Sequence, residues 1–159
     1  MQTLFNNYAS LIVFLHVFSA IIWVGGMIAI RFAVHYSIQD IEDPKIKLGR
    51  ILTYLKIFFN MVIPSIITLL LTAIIMIIAL KFKGTPLYDF VLIKEVIWSI
   101  MTILFIIIFI KRKQAENAFK QGNFLLTKEK LAPISKYLIP ANIILGLIAI
   151  YLGVTLRGF

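Results

Sequence analysis

Residues 57–80 read IFFNMVIPSIITLLLTAIIMIIAL, a run without one charged side chain. A bilayer core is crossed by about 20 apolar residues at a helical rise of about 1.5 Å each, so this run is long enough to span it. Three further stretches, 8–30, 90–110 and 137–156, have the same character. Composition agrees: the 159 residues are 61% hydrophobic and 14% charged. Soluble domains carry about 45–50% apolar and about 25% charged residues. The apolar surplus exceeds what one core of this size can hide, so the remainder faces lipid. The expectation is an all-α integral membrane protein, a four-helix transmembrane bundle forming one domain over 1–159. The first run is read as a retained helix rather than a signal peptide. Residues 1–10 hold no basic n-region, and no small-x-small site follows the run.

The connections carry ordinary boundary chemistry. Asp43-Pro44 reads as an N-cap followed by proline at the first helical position, so the second helix begins well before lipid. Lys83-Gly84-Thr85-Pro86 breaks the chain between spans two and three. Gly122 and Asn123 punctuate the longest connection, whose Lys-rich remainder reads as helix at the surface. Charge gives the orientation. Arg31, Lys45, Lys47, Arg50 and Lys56 flank one connection, and Lys111, Arg112, Lys113, Lys120, Lys128, Lys130 and Lys136 another. These twelve lie at one end; Lys81, Lys83, Lys94 and Arg157 at the other complete the sixteen. The positive-inside rule then predicts an inner-membrane protein with both termini outside and both basic loops in the cytoplasm. The net charge of +9 is thereby a topology signal, and no nucleic-acid partner is expected from it.

The absence of cysteine excludes disulfides, thiolate metal sites and iron–sulfur ligation. There is no Walker loop, dinucleotide fingerprint, HExxH or Gly-x-Ser-x-Gly. What remains is the short list of ionisable groups within spans, which are costly in lipid and default to functional candidates. His16 lies about 12 Å in from Tyr8. Trp23 and Met27 follow within about 20° of its helical face at 100° per residue, and Gly25-Gly26 adds a close-approach surface. His16 reads either as a buried histidine bonded to a neighbouring helix or as an axial ligand to haem or a ligand to copper. The same depth arithmetic sets Thr72, Met76, Lys94, Glu95, Trp98 and Met101 in one layer with it, met from the fourth span by Ala149 and Gly153. Span two offers Met61, Ser65, Thr68, Thr72 and Met76 along one face, as lining or as packing. Lys94 and Glu95 diverge by about 100° and either snorkel to the interface or act inside. His35 stands about 28 Å from His16 along the helix, so two histidines holding one haem would need a second protomer. Arg31 and His35, four apart, either meet headgroups or receive porphyrin carboxylates.

At Leu15-His16-x6-Trp23-x-Gly25-Gly26 the first helix resembles the opening helix of the copper-resistance-D-like membrane proteins. It is also similar to the membrane-bound, haem-containing protoporphyrinogen IX oxidases. The likeness extends in outline over the chain: four spans, similar length and a basic loop before span two. The oxidase likeness implies a b-type haem on His16 and matches Lys94 to that family's intramembrane lysine. The oxidases end their first helix Pro-Arg-x-x-x-Tyr-His, whereas this chain reads Ile30-Arg31-Phe32-Ala33-Val34-His35-Tyr36, without the proline and with the last pair reversed. The copper-resistance likeness implies copper handling.

The expected function is a haem b-binding redox protein. His16 would be its metal ligand, Lys94 or Met101 a second ligand, and Trp23, Met27 and Trp98 its pocket. Electrons would pass to or from quinone or a respiratory membrane protein, the chain acting singly or as a homo-oligomer. Porphyrinogen oxidation is its enzymatic form, with Lys94 or Arg31 holding substrate carboxylates. The alternatives are copper transport along His16, Met27, Met61 and Met76, and a cofactor-free accessory subunit of a respiratory complex.

Overall fold

The computed structural model describes residues 2–81 and 83–156; Arg157, counted above with the less basic end, lies outside them. Every element in it is helical. Helix α1 runs Gln2–Ala20, bends at Tyr8 (φ −125°, ψ 20°), and continues through wide turns at Ile21–Gly25 and Ile30–Val34 to Ser37. Helix α2 is Pro44–Leu80 and α3 is Tyr88–Lys120. Helix α4 is Phe124–Pro133, a wide turn at Ile134–Leu138, and Ile139–Thr155.

Local chemistry sets the boundaries. Asp43 Oδ1 accepts from the amides of Lys45 (2.7 Å) and Ile46 (3.2 Å), while Pro44 occupies a position whose N–H would have no helical partner. Asn123 Oδ1 does the same for α4 from Leu126 N at 3.0 Å. At the other end of α2 the chain leaves the helix at Lys81 in the left-handed region (φ 49°), followed by Gly84 at φ 87°. Glycine is the residue that takes such a φ without strain.

Neighbours in sequence are antiparallel neighbours in space. α1 packs along α2, α2 touches α3, and α3 packs along α4. The wide turn Ile21–Gly25 of α1 closes the ring against α4. All four helices are long and apolar enough to cross a membrane. Only 22–28% of the residues in their most apolar windows are buried, so most of that apolar surface faces outward. Leu11, Phe14, Leu71, Ile103 and Ile144 stand on this outer face, which requires a lipid surrounding. The chain is an all-α four-helix membrane bundle. α2, with 37 residues, is about 55 Å long, so it projects well beyond a lipid core of about 30 Å. The projecting parts of α1, α2, α3 and α4 together form the basic end.

The centre of the bundle is filled. Trp23 meets Phe105 edge-on at 6.3 Å, Phe105 meets Phe59 at 5.2 Å, and Phe59 meets Phe109 at 5.8 Å. Such pairs contribute about 0.5–1.5 kcal/mol each beyond their area. Asn142, fully buried, donates through Nδ2 to the Met101 carbonyl at 3.1 Å and ties α4 to α3. A Cβ at Gly26 would stand 2.5 Å from Phe58 Cε2, so α1 and α2 approach closely there because position 26 has no side chain.

Where α3 has passed the apolar band, Arg112 is buried, stacks 5.8 Å over the Phe59 ring and pairs with Glu116 at 3.1 Å. Burial alone would push the Glu116 carboxyl up. Arg112, with Lys120 at 3.4 Å and Lys56, outweighs it and holds the group below its ordinary value of 4.5. A carboxyl lowered on folding stabilises the fold above its unfolded pKa, and that contribution is lost as pH falls through the folded one. Thermal stability should therefore fall on acidification below about pH 4.5, and Glu116→Gln should flatten that part of the profile. An unchanged slope in Glu116→Gln would remove Glu116 as its source.

Candidate functional site

The one histidine at depth is held by a neighbouring helix. His16 Nδ1 lies 2.8 Å from Thr72 Oγ1 of α2. The Thr72 hydroxyl is itself 2.7 Å from the Thr68 carbonyl and 3.1 Å from that of Leu69. A hydroxyl has one proton, and here two carbonyls of its own helix compete to accept it. Thr72 Oγ1 is thereby placed to accept from His16 Nδ1, and the Leu69 carbonyl of the same helix also bonds the imidazole, so α2 orients the ring. A hydrogen bond to one ring nitrogen that fixes the tautomer and frees the other is how metal-ligating histidines are oriented.

Two helices add polar groups to this layer. Lys94, half-buried on α3, lies within electrostatic range of His16. Its Nζ reaches into the space that a side chain at Gly153 of α4 would fill, 3.0 Å from where the Cβ would be. Trp98, one turn further along α3, has a buried Nε1 without a hydrogen-bond partner among the described residues. Glu95 is exposed and does not join them.

The other expected pocket residues lie elsewhere. Trp23 and Met27 are 1% exposed and Met101 is 3% exposed, all inside the packed centre. Gly146 sits against Met101 and Val24, so no flat group enters between α1 and α4 there. These three residues brace the bundle and do not share the His16 layer. Trp23 and Met27 stand about 10 and about 16 Å further along α1 than His16, so they meet the bundle at another depth. Along the proposed copper path, Met27 faces in and Met61 is 52% exposed, so the two do not line one channel. Among the described residues no three His, Cys, Asp or Glu side chains come together as a metal cluster. Arg31 is about 22 Å from His16 along α1, at the basic end, and does not reach the His16 layer.

Two cavities among the described residues bear on these side chains. One, of about 320 Å³, opens between α1 and α2 and is lined by Leu15, Phe18, Ser19, Ile22, Met61, Pro64, Ser65 and Thr68. It lies on the two helices that carry the His16–Thr72 pair. The other, of about 260 Å³, lies at the basic end among α1, α2 and α4 and includes Arg31 and His35. The spacing of Arg31 and His35 was its only trace in the sequence. Its remaining walls, Tyr54, Lys47 and Lys128 among them, come from distant segments.

The donor set fits a haem at one point and not at another. His16 offers the right nitrogen, and the unpartnered indole N–H of Trp98 lies in the same half of the bundle. The expected walls at Trp23, Met27 and Met101 are closed, so room for a flat group lies at the bundle surface rather than inside it. Compared with protein-family models, curated proteins and solved structures, the chain matches none.

Proposed function

We propose that the protein is a haem b-binding membrane redox protein of the copper-resistance-D-like class, with His16 as axial ligand. The observation that carries this reading is the imidazole anchored through Nδ1 by Thr72 within a membrane span. When bound, haem supplies one-electron chemistry. Thr72 keeps the ring in one tautomer and orientation. Lys94 brings a positive charge to the same layer, where it complements a porphyrin carboxylate. In the enzymatic form, porphyrinogen oxidation, the same lysine holds the substrate. Quinone or a respiratory membrane protein exchanges the electrons, and the groove between α1 and α2 is open to an apolar partner arriving through lipid.

The visible spectrum of detergent-purified protein from haem-replete cells tests this. A Soret band supports it, and a colourless protein sinks it. Copper retained without porphyrin would instead favour copper handling at His16. The filled centre favours a second reading, a cofactor-free subunit of a respiratory complex, and co-purifying subunits with neither haem nor copper would point there.

The same proposal places the basic end in the cytoplasm and both termini across an inner membrane. With no native cysteine, single replacements report sidedness cleanly. In intact cells Gly84→Cys should react with an impermeant maleimide, and Gly122→Cys only after lysis. The reverse pattern would invert the orientation.

A further inference from the structure

The cavity at the basic end has an apolar floor and a cationic rim. Leu55 and Ile139 line its deeper part, where α2 and α4 leave the apolar band. Ile30, Leu48, Ile51 and Leu131 continue the apolar wall, Arg31, His35, Lys47 and Lys128 are the basic residues among the lining, and no acidic side chain is among them. Lys47 is used locally, its Nζ donating to the Gln39 carbonyl at 3.0 Å. Among the described residues Arg31 and Lys128 enter no ion pair, while the nearby Glu129 is paired with Lys130 at 3.7 Å. Two uncompensated cations thus stand over an apolar space at headgroup depth. Basic pockets between membrane helices with this construction hold anionic lipid headgroups.

We propose that this cavity is a binding site for one anionic phospholipid of the adjoining leaflet. Its phosphate sits between Arg31 and Lys128, and the start of an acyl chain lies on Leu55 and Ile139. A guanidinium and an ammonium on different helices, α1 and α4, receive the same phosphate, so the lipid ties the two helices together at the end where they leave the membrane. The site is independent of the haem reading, being at the other end of α1 from His16.

The experiment uses full-length protein in phosphatidylcholine nanodiscs carrying a small fraction of phosphatidylglycerol. Lipid retention is read by native mass spectrometry after release, and thermal stability is read in parallel. Wild type should retain one phosphatidylglycerol and gain stability from it but not from phosphatidylcholine. The double variant Arg31→Gln/Lys128→Gln should bind it about thirtyfold more weakly, from the loss of two charges near the surface. Lys111→Gln/Lys113→Gln removes the same charge from α3, outside the cavity, and should bind as wild type does. Ala132→Phe, which fills the cavity and keeps every charge, should also lose retention. Equal loss in the α3 pair, equal binding of phosphatidylcholine, or full retention by Ala132→Phe would each overturn the proposal. Displacement of the lipid by millimolar inorganic phosphate would overturn it too, by showing a free-anion site. If Arg31→Gln/Lys128→Gln does not fold, the exposed Lys128→Gln alone and Ala132→Phe decide.

Discussion

Purified His16→Ala protein from haem-replete cells is expected to be colourless where the parent chain shows a Soret band. His16 is the only histidine in its half of the bundle, because His35 lies about 28 Å away along α1. No cysteine exists to take over the ligation. The fold should survive the change, since His16 is only partly buried and its hydrogen bonds to α2 are worth about 0.5–1.5 kcal/mol each. The sharper variant is Thr72→Val, which keeps the imidazole but removes the acceptor at 2.8 Å. Ring orientation and tautomer are then unconstrained, and haem affinity should fall by about 10–100-fold, the usual cost of losing an outer-shell partner. Thr72→Ser restores the hydroxyl and should restore affinity, a rescue that a loss of packing alone would not produce. A full spectrum in His16→Ala would end the haem assignment at this residue. A full spectrum in Thr72→Val would leave the ligand but discard its anchoring.

The parts of this molecule that were legible in its sequence are those decided by local chemistry or by length. The charge-free run at 57–80 demands a span, and Asp43-Pro44 and Asn123 announce helix starts because their side chains bond to amides two or three residues on. Depth along a helix was equally readable. His16 and Thr72 were each about 12 Å from the same end, and they meet. Rotation about a helix was not readable. The wide turn Ile21–Gly25 departs from 3.6 residues per turn, so a count at 100° per residue loses its register there. The cavity at the basic end was hidden for a different reason. Its walls come from α1, α2 and α4, and no single periodicity relates Arg31, Leu55 and Lys128.

The two halves of the bundle are consequently built for different things. Around Trp23, Phe105, Met101 and Asn142 the helices interlock, and the Asn142 amide N–H ties α4 to α3. Nearer the other end the layer of His16, Thr72 and Lys94 is only partly enclosed, and the hydroxyl and imidazole are spent on orienting one another. An interior filled in this way fixes α1 against α2, which a rigid ligand position requires.

Gly146→Leu is expected to be the most destabilising single change in the centre. A Cβ there would stand 2.6 Å from Val24 Cγ2 and 3.2 Å from Met101 Cε. Met101 is flexible and can yield, but Val24 is β-branched, stiff at χ1 and buried in the wide turn of α1. Relief therefore requires α4 to move away from α1. Overpacking of this kind costs about 1–3 kcal/mol. Asn142 sits one turn earlier on the same face, and its 3.1 Å bond to the Met101 carbonyl breaks if α4 shifts from α3. An amide and a carbonyl left unpaired in the interior add about 1–3 kcal/mol, so the two terms together exceed what most single changes cause. Gly25→Ala is the matched control: its nearest neighbour outside the local backbone is Ile21 Cγ2 at 3.9 Å, an ordinary contact. It should be neutral or slightly stabilising, as alanine is the better helix former by about 1 kcal/mol. Unfolding of the purified protein by heat or by denaturing detergent measures both. Gly146→Leu unfolding together with Gly25→Ala would mean that α1 and α4 do not approach as closely as the Val24–Gly146 contact requires.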